Sequence, residues 1–100
     1  MDFNPYVASG KYLFYLWMEI QRCVGKNVRN ARLAAGLSQW DLVARLEVRS
    51  HDHGMDQAYI SQLENGRRNP TLTTLWLIAQ ALEVPLTQIV QSESKSDMAP

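Results

Sequence analysis

Asp56-Gln57-Ala58-Tyr59-Ile60-Ser61-Gln62-Leu63-Glu64-Asn65-Gly66-Arg67-Arg68-Asn69-Pro70 is the stretch on which the reading of this chain turns. Asp56 suits a helix N-cap, because its carboxylate can accept a free backbone N–H of the first turn. Gly66 suits the stop, because glycine takes the left-handed conformation just past a helix end at little cost. On a helix turning about 100° per residue, Tyr59, Ile60 and Leu63 fall on one side. Gln57, Ala58, Ser61, Gln62 and Asn65 fall on the other. That second side carries no charge. Its two glutamines, asparagine and serine donate and accept hydrogen bonds together, which is what base edges in a major groove require, and Gln or Asn can pair bidentately with adenine. Arg67 and Arg68, just beyond the helix, stand where a backbone phosphate could be reached. A polar helix face is more often simply a solvated face, so the elements around it have to decide.

Upstream, Val24, Val28, Ala31 and Ala35 recur at helical spacing until Gly36. Ser38 then opens a second helix, with Asp41 three residues on in the pattern of a capping box and Leu42, Val43 and Leu46 as the apolar stripe. Residues 49–55, rich in Ser, His, Asp and Gly, read as a loop. Downstream, Thr71 or Thr73 caps a fourth helix with Leu75, Ile78, Ala79 and Leu82 inward. Pro85 suits the first turn of a short fifth helix holding Leu86 and Ile89. Residues 11–23 are apolar and aromatic and fit a helix or a strand, since a continuous apolar run does not discriminate. The expected architecture is all-α, five short helices with an additional N-terminal apolar segment and no internal repeat. The expected organisation is an extension over 1–19, a helical domain over 20–91 and a disordered tail over 92–100. Met18 offers an alternative start, which would make residues 1–17 an addition.

A chain of 100 residues with 46% hydrophobic content supports one domain with a real core. Ten basic and ten acidic side chains leave no net charge. Between Arg22 and Arg68, however, eight basic residues outnumber five acidic ones, a modest basic middle that can meet phosphates with weak long-range steering. A single cysteine, Cys23, excludes an intrachain disulfide and fits a reducing cytoplasm. The apolar run 12–18 is far too short to span a bilayer and lacks the flanks of a signal peptide, so a cytoplasmic protein with no membrane partner is expected.

The run Leu37-Ser38-Gln39, followed by Ile60-Ser61-Gln62-Leu63-Glu64-Asn65-Gly66-Arg67-Arg68-Asn69-Pro70, closely resembles the phage Cro/cI repressor-type helix-turn-helix family, the XRE family, over about residues 20–90. The resemblance implies a five-helix, lambda-repressor-like domain that binds double-stranded DNA. It implies base-reading positions at Gln57, Ala58, Ser61 and Gln62, Ala58 offering only a methyl-sized contact such as thymine accepts. It implies phosphate contacts from Gln39, Asn65, Arg67, Arg68 and Asn69, with Gln39 also supporting the recognition helix. Arg32 and Glu64 match a structural pair of such folds that holds this helix at its angle. One departure stands out: residues 47–53 lengthen the link between the second and third helices, which leaves the end of the second helix open.

Other candidates point less far. His51-Asp52-His53 suggests a metal only weakly, there being no further ligands at suitable spacing, and a structural loop is the favoured reading. Cys23 reads as a buried or half-buried thiol without a resolving partner. Trp40 and Trp76 read as core or interface packing. The aromatics of residues 12–18 read as packing on the domain or as a dimer seam, with the seam preferred. No nucleophile elbow, phosphate-cradling glycine loop or acid–base pair is present, so no enzyme, cofactor or metal is expected. The expectation is a repressor acting as a homodimer on a palindromic operator, with residues 12–18 a further protein-binding segment. The alternatives are an antitoxin, or a helix-turn-helix module that binds only protein.

Overall fold

Three helices of this chain end in the same way, and those ends set the lengths of the elements. The computed structural model describes residues 10–92, which form α1 (Gly10–Ala34), α2 (Gln39–Arg49), α3 (Gln57–Glu64), α4 (Leu72–Leu82) and α5 (Leu86–Val90), with no strand among the described residues. After α1, the N–H of Leu37 bonds the carbonyl of Arg32 and that of Gly36 the carbonyl of Leu33, with Gly36 at φ +73°. After α3, Arg67 and Gly66 repeat this pattern onto Gln62 and Leu63. After α4, Val84 and Glu83 repeat it onto Ala79 and Gln80, but the left-handed residue is Glu83 at φ 57°. Each closure satisfies orphan carbonyls and turns the chain sharply.

The starts are equally local. Ser38 Oγ accepts the Asp41 N–H at 3.0 Å while Asp41 Oδ2 accepts the Ser38 N–H at 2.9 Å, closing the expected capping box. Hydrogen bonding to the Ser38 backbone N–H, and next to the Ser38 hydroxyl, holds the Asp41 carboxyl below its ordinary value. Its contribution is therefore present above the unfolded carboxylate range and is lost as pH falls through the lowered folded value. Asp56 Oδ1 accepts from Tyr59 N at 2.8 Å, and Thr71, rather than Thr73, caps α4 through Thr74 N at 3.1 Å.

The core lies where the five helices converge. Val24, Val28 and Ala31 of α1 meet Leu42 and Leu46 of α2, Ile60 and Leu63 of α3, Leu75, Ile78 and Leu82 of α4 and Ile89 of α5, all buried. α1 packs on α3 and α5, and α2 on α3 and α4. Two side-chain ties lock the periphery. Asn27 Nδ2 donates to the carbonyls of Ile89 and Gln91, both at 2.8 Å, fastening the C-terminal end of α5 to α1. Arg45 Nη1 donates to the Ala81 carbonyl at 3.0 Å, joining α2 to the end of α4.

Three features differ from, or sharpen, the expectation. The apolar segment and the first domain helix are one continuous helix of 25 residues, about 37 Å long, with no break near residue 19. Residues 47–49 belong to α2, so the longer link is shared between an extended helix and a shorter loop. That loop is pinned by His53, whose Nδ1 accepts the Met55 N–H at 2.9 Å and whose Nε2 lies 2.8 Å from Glu47 Oε2. Because Nδ1 accepts, Nε2 carries the hydrogen and donates to the carboxylate. Finally, Trp40 and Trp76 are exposed, which removes the core half of their expected role. Both stand on the solvent side of their helices, away from the buried Leu42 and Leu46 of α2 and the buried Ile78 and Leu82 of α4.

Candidate nucleic-acid interface

The angle of α3 on the domain is set by two glycines. A Cβ on Gly25, in mid-α1, would overlap the Leu63 carbonyl oxygen and lie 3.0 Å from that of Glu64. A Cβ on Gly66 would lie 2.7 Å from Arg22 Cγ, and its φ is +75°. The C-terminal end of α3 therefore presses directly against the backbone of α1, an approach that only glycine permits. Gly25 was legible in the sequence only as a glycine inside a helical pattern, which signals close packing without saying against what.

The same end of α3 carries the charged pair. Arg32 Nε donates to Glu64 Oε2 at 2.6 Å and Nη2 to Oε1 at 2.9 Å, and the remaining Nη1 donates to the Leu37 carbonyl at 2.8 Å. The side chains are 8% and 2% exposed. Hydrogen bonding to Glu64 raises the Arg32 guanidinium further above its ordinary range, against the opposing effect of burial. Such a fork-to-fork pair is both strong and geometrically specific.

A relay of amides runs from this pair to the start of α3. Gln39 Nε2 donates to Glu64 Oε1 at 3.1 Å, and Gln57 Nε2 donates to Gln39 Oε1 at 2.8 Å. A carboxylate only accepts, so Gln39 must turn its nitrogen to Glu64 and its oxygen to Gln57. Both ends of α3 are thereby tied to one carboxylate, and Gln39 stands behind Gln57.

Gln57, Ala58, Ser61 and Gln62 do form one surface: Ala58 and Gln62 are exposed, Gln57 and Ser61 half-buried, while Ile60 and Leu63 are fully buried on the opposite side. Asn65, Arg67, Arg68 and Asn69 are exposed along the turn that follows. Asn65 Nδ2 donates to the Ser61 carbonyl at 2.9 Å, which stiffens that turn. Arg68 folds back over α3. Its Nε donates to Gln62 Oε1 at 2.8 Å and its guanidinium lies 5.1 Å from the Tyr59 ring centroid. Burial pushes the Tyr59 phenol up, with the Arg68 charge pulling more weakly the other way. The Arg68 backbone is held as well. Gln21, its amide set by a donor on one side and an acceptor on the other, bridges the Trp17 indole N–H at 2.8 Å to the Arg68 carbonyl at 3.2 Å. Sequence reasoning missed Gln21 and Asn27, whose partners are distant in the chain. Among the described residues no helix is long and apolar enough to cross a membrane.

Comparison with known proteins agrees with this geometry. Residues 28–89 match the family described as helix-turn-helix. An uncharacterised HTH-type transcriptional regulator, y4dJ, of Sinorhizobium fredii is 41% identical over 73 residues, covering 73% of this chain and 86% of that protein. Control protein C.SmaI of Serratia marcescens is 32% identical over 74 residues, covering 74% and 80%. The crystal structure of the hypothetical transcription factor NHTF from Neisseria superposes with a TM-score of 0.66 at 24% identity, covering 84% of this chain and 88% of that one. The restriction-modification controller protein C.AhdI from Aeromonas hydrophila superposes with a TM-score of 0.55 at 29% identity, covering 69% and 94%. The chain thus belongs to the helix-turn-helix family of the XRE, or Cro/cI, type, a family of DNA-binding transcription regulators.

Proposed function

We propose that this protein is a repressor that binds a palindromic operator as a homodimer and reads it with α3. The observation that carries the reading is the uncharged face of Gln57, Ala58, Ser61 and Gln62, presented side by side with the first glutamine braced from behind by Gln39. Placed in a major groove, Gln57 and Gln62 reach base edges, Ser61 offers a hydroxyl and Ala58 a methyl contact. Gln39, Asn65, Arg67, Arg68 and Asn69 flank that face on the two turns nearest the backbone and take the phosphate contacts. Dimerisation places two such helices on half-sites about one helical turn, roughly 10 bp, apart. The exposed apolar side chains of Leu13, Phe14, Leu16, Trp17 and Ile20, together with a cleft of about 420 Å³ bounded by α1 and Val90, support residues 12–18 as the protein-binding segment.

Selection of random duplex DNA by the purified protein tests the reading, with the Gln57→Ala/Gln62→Ala variant in parallel. The expected result is a palindromic motif that the variant loses. A folded protein that enriches no sequence overturns it. The likeness to a control protein and to a restriction-modification controller favours a second reading at the level of biology, control of a restriction–modification gene pair. Binding of the selected motif upstream of such genes, and nowhere else nearby, would distinguish it.

A further inference from the structure

The two glutamines of the recognition face are linked to opposite charges, Gln57 through one intervening amide and Gln62 directly. Gln57 is reached through Gln39 from the Glu64 carboxylate, and that chain of donors fixes its Nε2 inward, leaving Oε1 and one N–H for a ligand. Gln62 is reached directly by the Arg68 guanidinium, which can only donate, so its Oε1 faces Arg68 and its two amide N–H groups are left for a ligand. Arg68 is held in this position at two points, by Gln62 and by the half-buried Tyr59 ring beneath it.

Resting on the DNA-reading role proposed above, we infer that Arg68, whose Nη groups can still reach a phosphate while Nε holds Gln62, is also a specificity-positioning residue, which makes Gln62 a donor-only reader that selects guanine and rejects adenine. Guanine offers the neighbouring acceptors N7 and O6 in the major groove, and both suit an outward NH₂ group. Adenine offers N7 but places its N6 amino group beside it. That amino group needs the Gln62 oxygen, which already faces a cation, so its approach sets donor against donor. Gln57 keeps one acceptor and one donor and retains the bidentate match to adenine. Two residues of one chemical type thus read two different bases, because the protein sets their amides in opposite senses.

A contact that merely neutralises a phosphate weakens all sequences alike, whereas a positioning residue changes the preference at one base pair, and this difference is the test. Random-duplex selection and competition binding are run on the wild type, Arg68→Ala and Arg67→Ala, each verified as folded by circular dichroism. In the wild type, the position lost in a Gln62→Ala variant should favour guanine over adenine by about tenfold or more. Arg68→Ala should reduce that preference to about threefold or less, with the preference at the Gln57 position kept, because an unheld amide can present either end. Arg67→Ala should weaken binding while leaving both preferences in place. An unchanged guanine preference in Arg68→Ala, or the same broadening in Arg67→Ala, overturns the inference while leaving DNA reading by α3 intact. A wild type that enriches no motif removes the DNA-reading role, and this inference with it.

Discussion

Glu64 receives three hydrogen bonds, two from Arg32 and one from Gln39, in a place where solvent hardly reaches. A buried carboxylate of this kind is expensive to strand. Removing one member of a buried pair costs about 3–5 kcal/mol, whereas replacing both with apolar groups of similar volume is often neutral. Arg32→Ala should therefore destabilise the fold by about 3–5 kcal/mol in urea unfolding, and Arg32→Met/Glu64→Leu should recover much of that loss. The double variant should nonetheless bind DNA less selectively, because Gln39 and Gln57 lose the anion that orders their amides. A single variant that unfolds like the wild type would show that the pair holds nothing together.

Between elements, the decisive contact is backbone against backbone where α1 crosses the end of α3. Ala is a better helix former than Gly by about 0.5–1 kcal/mol, so propensity alone predicts that Gly25→Ala stabilises α1. The overlap with the Leu63 carbonyl works the other way, and overpacking of this type costs about 1–3 kcal/mol. The closer group is backbone, which cannot rotate aside, so the steric effect wins. Gly25→Ala should lower the unfolding midpoint and, by tilting α3, reduce operator affinity more than its loss of stability explains. A raised midpoint would refute the close approach.

Across the whole molecule, α1 is a single rod whose C-terminal half builds the core and whose N-terminal half projects apolar side chains to solvent on several sides at once. Leu13, Phe14, Tyr15, Trp17 and Ile20 are each at least half exposed, and the Phe14 and Trp17 rings meet edge to face at 6.3 Å. A helix that is apolar all round belongs inside something larger. With a second copy as that cover, Phe14→Glu/Trp17→Glu should sediment as a monomer at concentrations where the wild type is a dimer. It should also bind an isolated half-site as well as the wild type does, while losing the advantage of the full palindrome. An unchanged dimer would assign the seam elsewhere.

Much of this was legible from residue order. Ser38, Asp41, Asp56, Thr71, Gly36 and Gly66 act within one turn of their own position, so caps and stops could be placed without knowing the fold. The periodic burial of Val28, Leu42, Leu46, Ile60, Leu63, Ile78 and Leu82 follows from helix geometry alone. The polar face of α3 followed from helix geometry as well, whereas the Arg32–Glu64 pair was legible only through the family's motif. Other features depend on which surfaces meet, and sequence spacing does not encode that. The run before residue 19 could continue α1 or stand apart as a strand. Residues 47–49 were free to be loop until Glu47 met His53. Trp40 could have been inside until α2 settled with Leu42 and Leu46 inward. Least visible of all was the sense of each glutamine amide, because Gln57 and Gln62 are chemically identical in the sequence. Only the through-space neighbours, a carboxylate one amide away and a guanidinium in direct contact, set one to show its oxygen and the other its nitrogen.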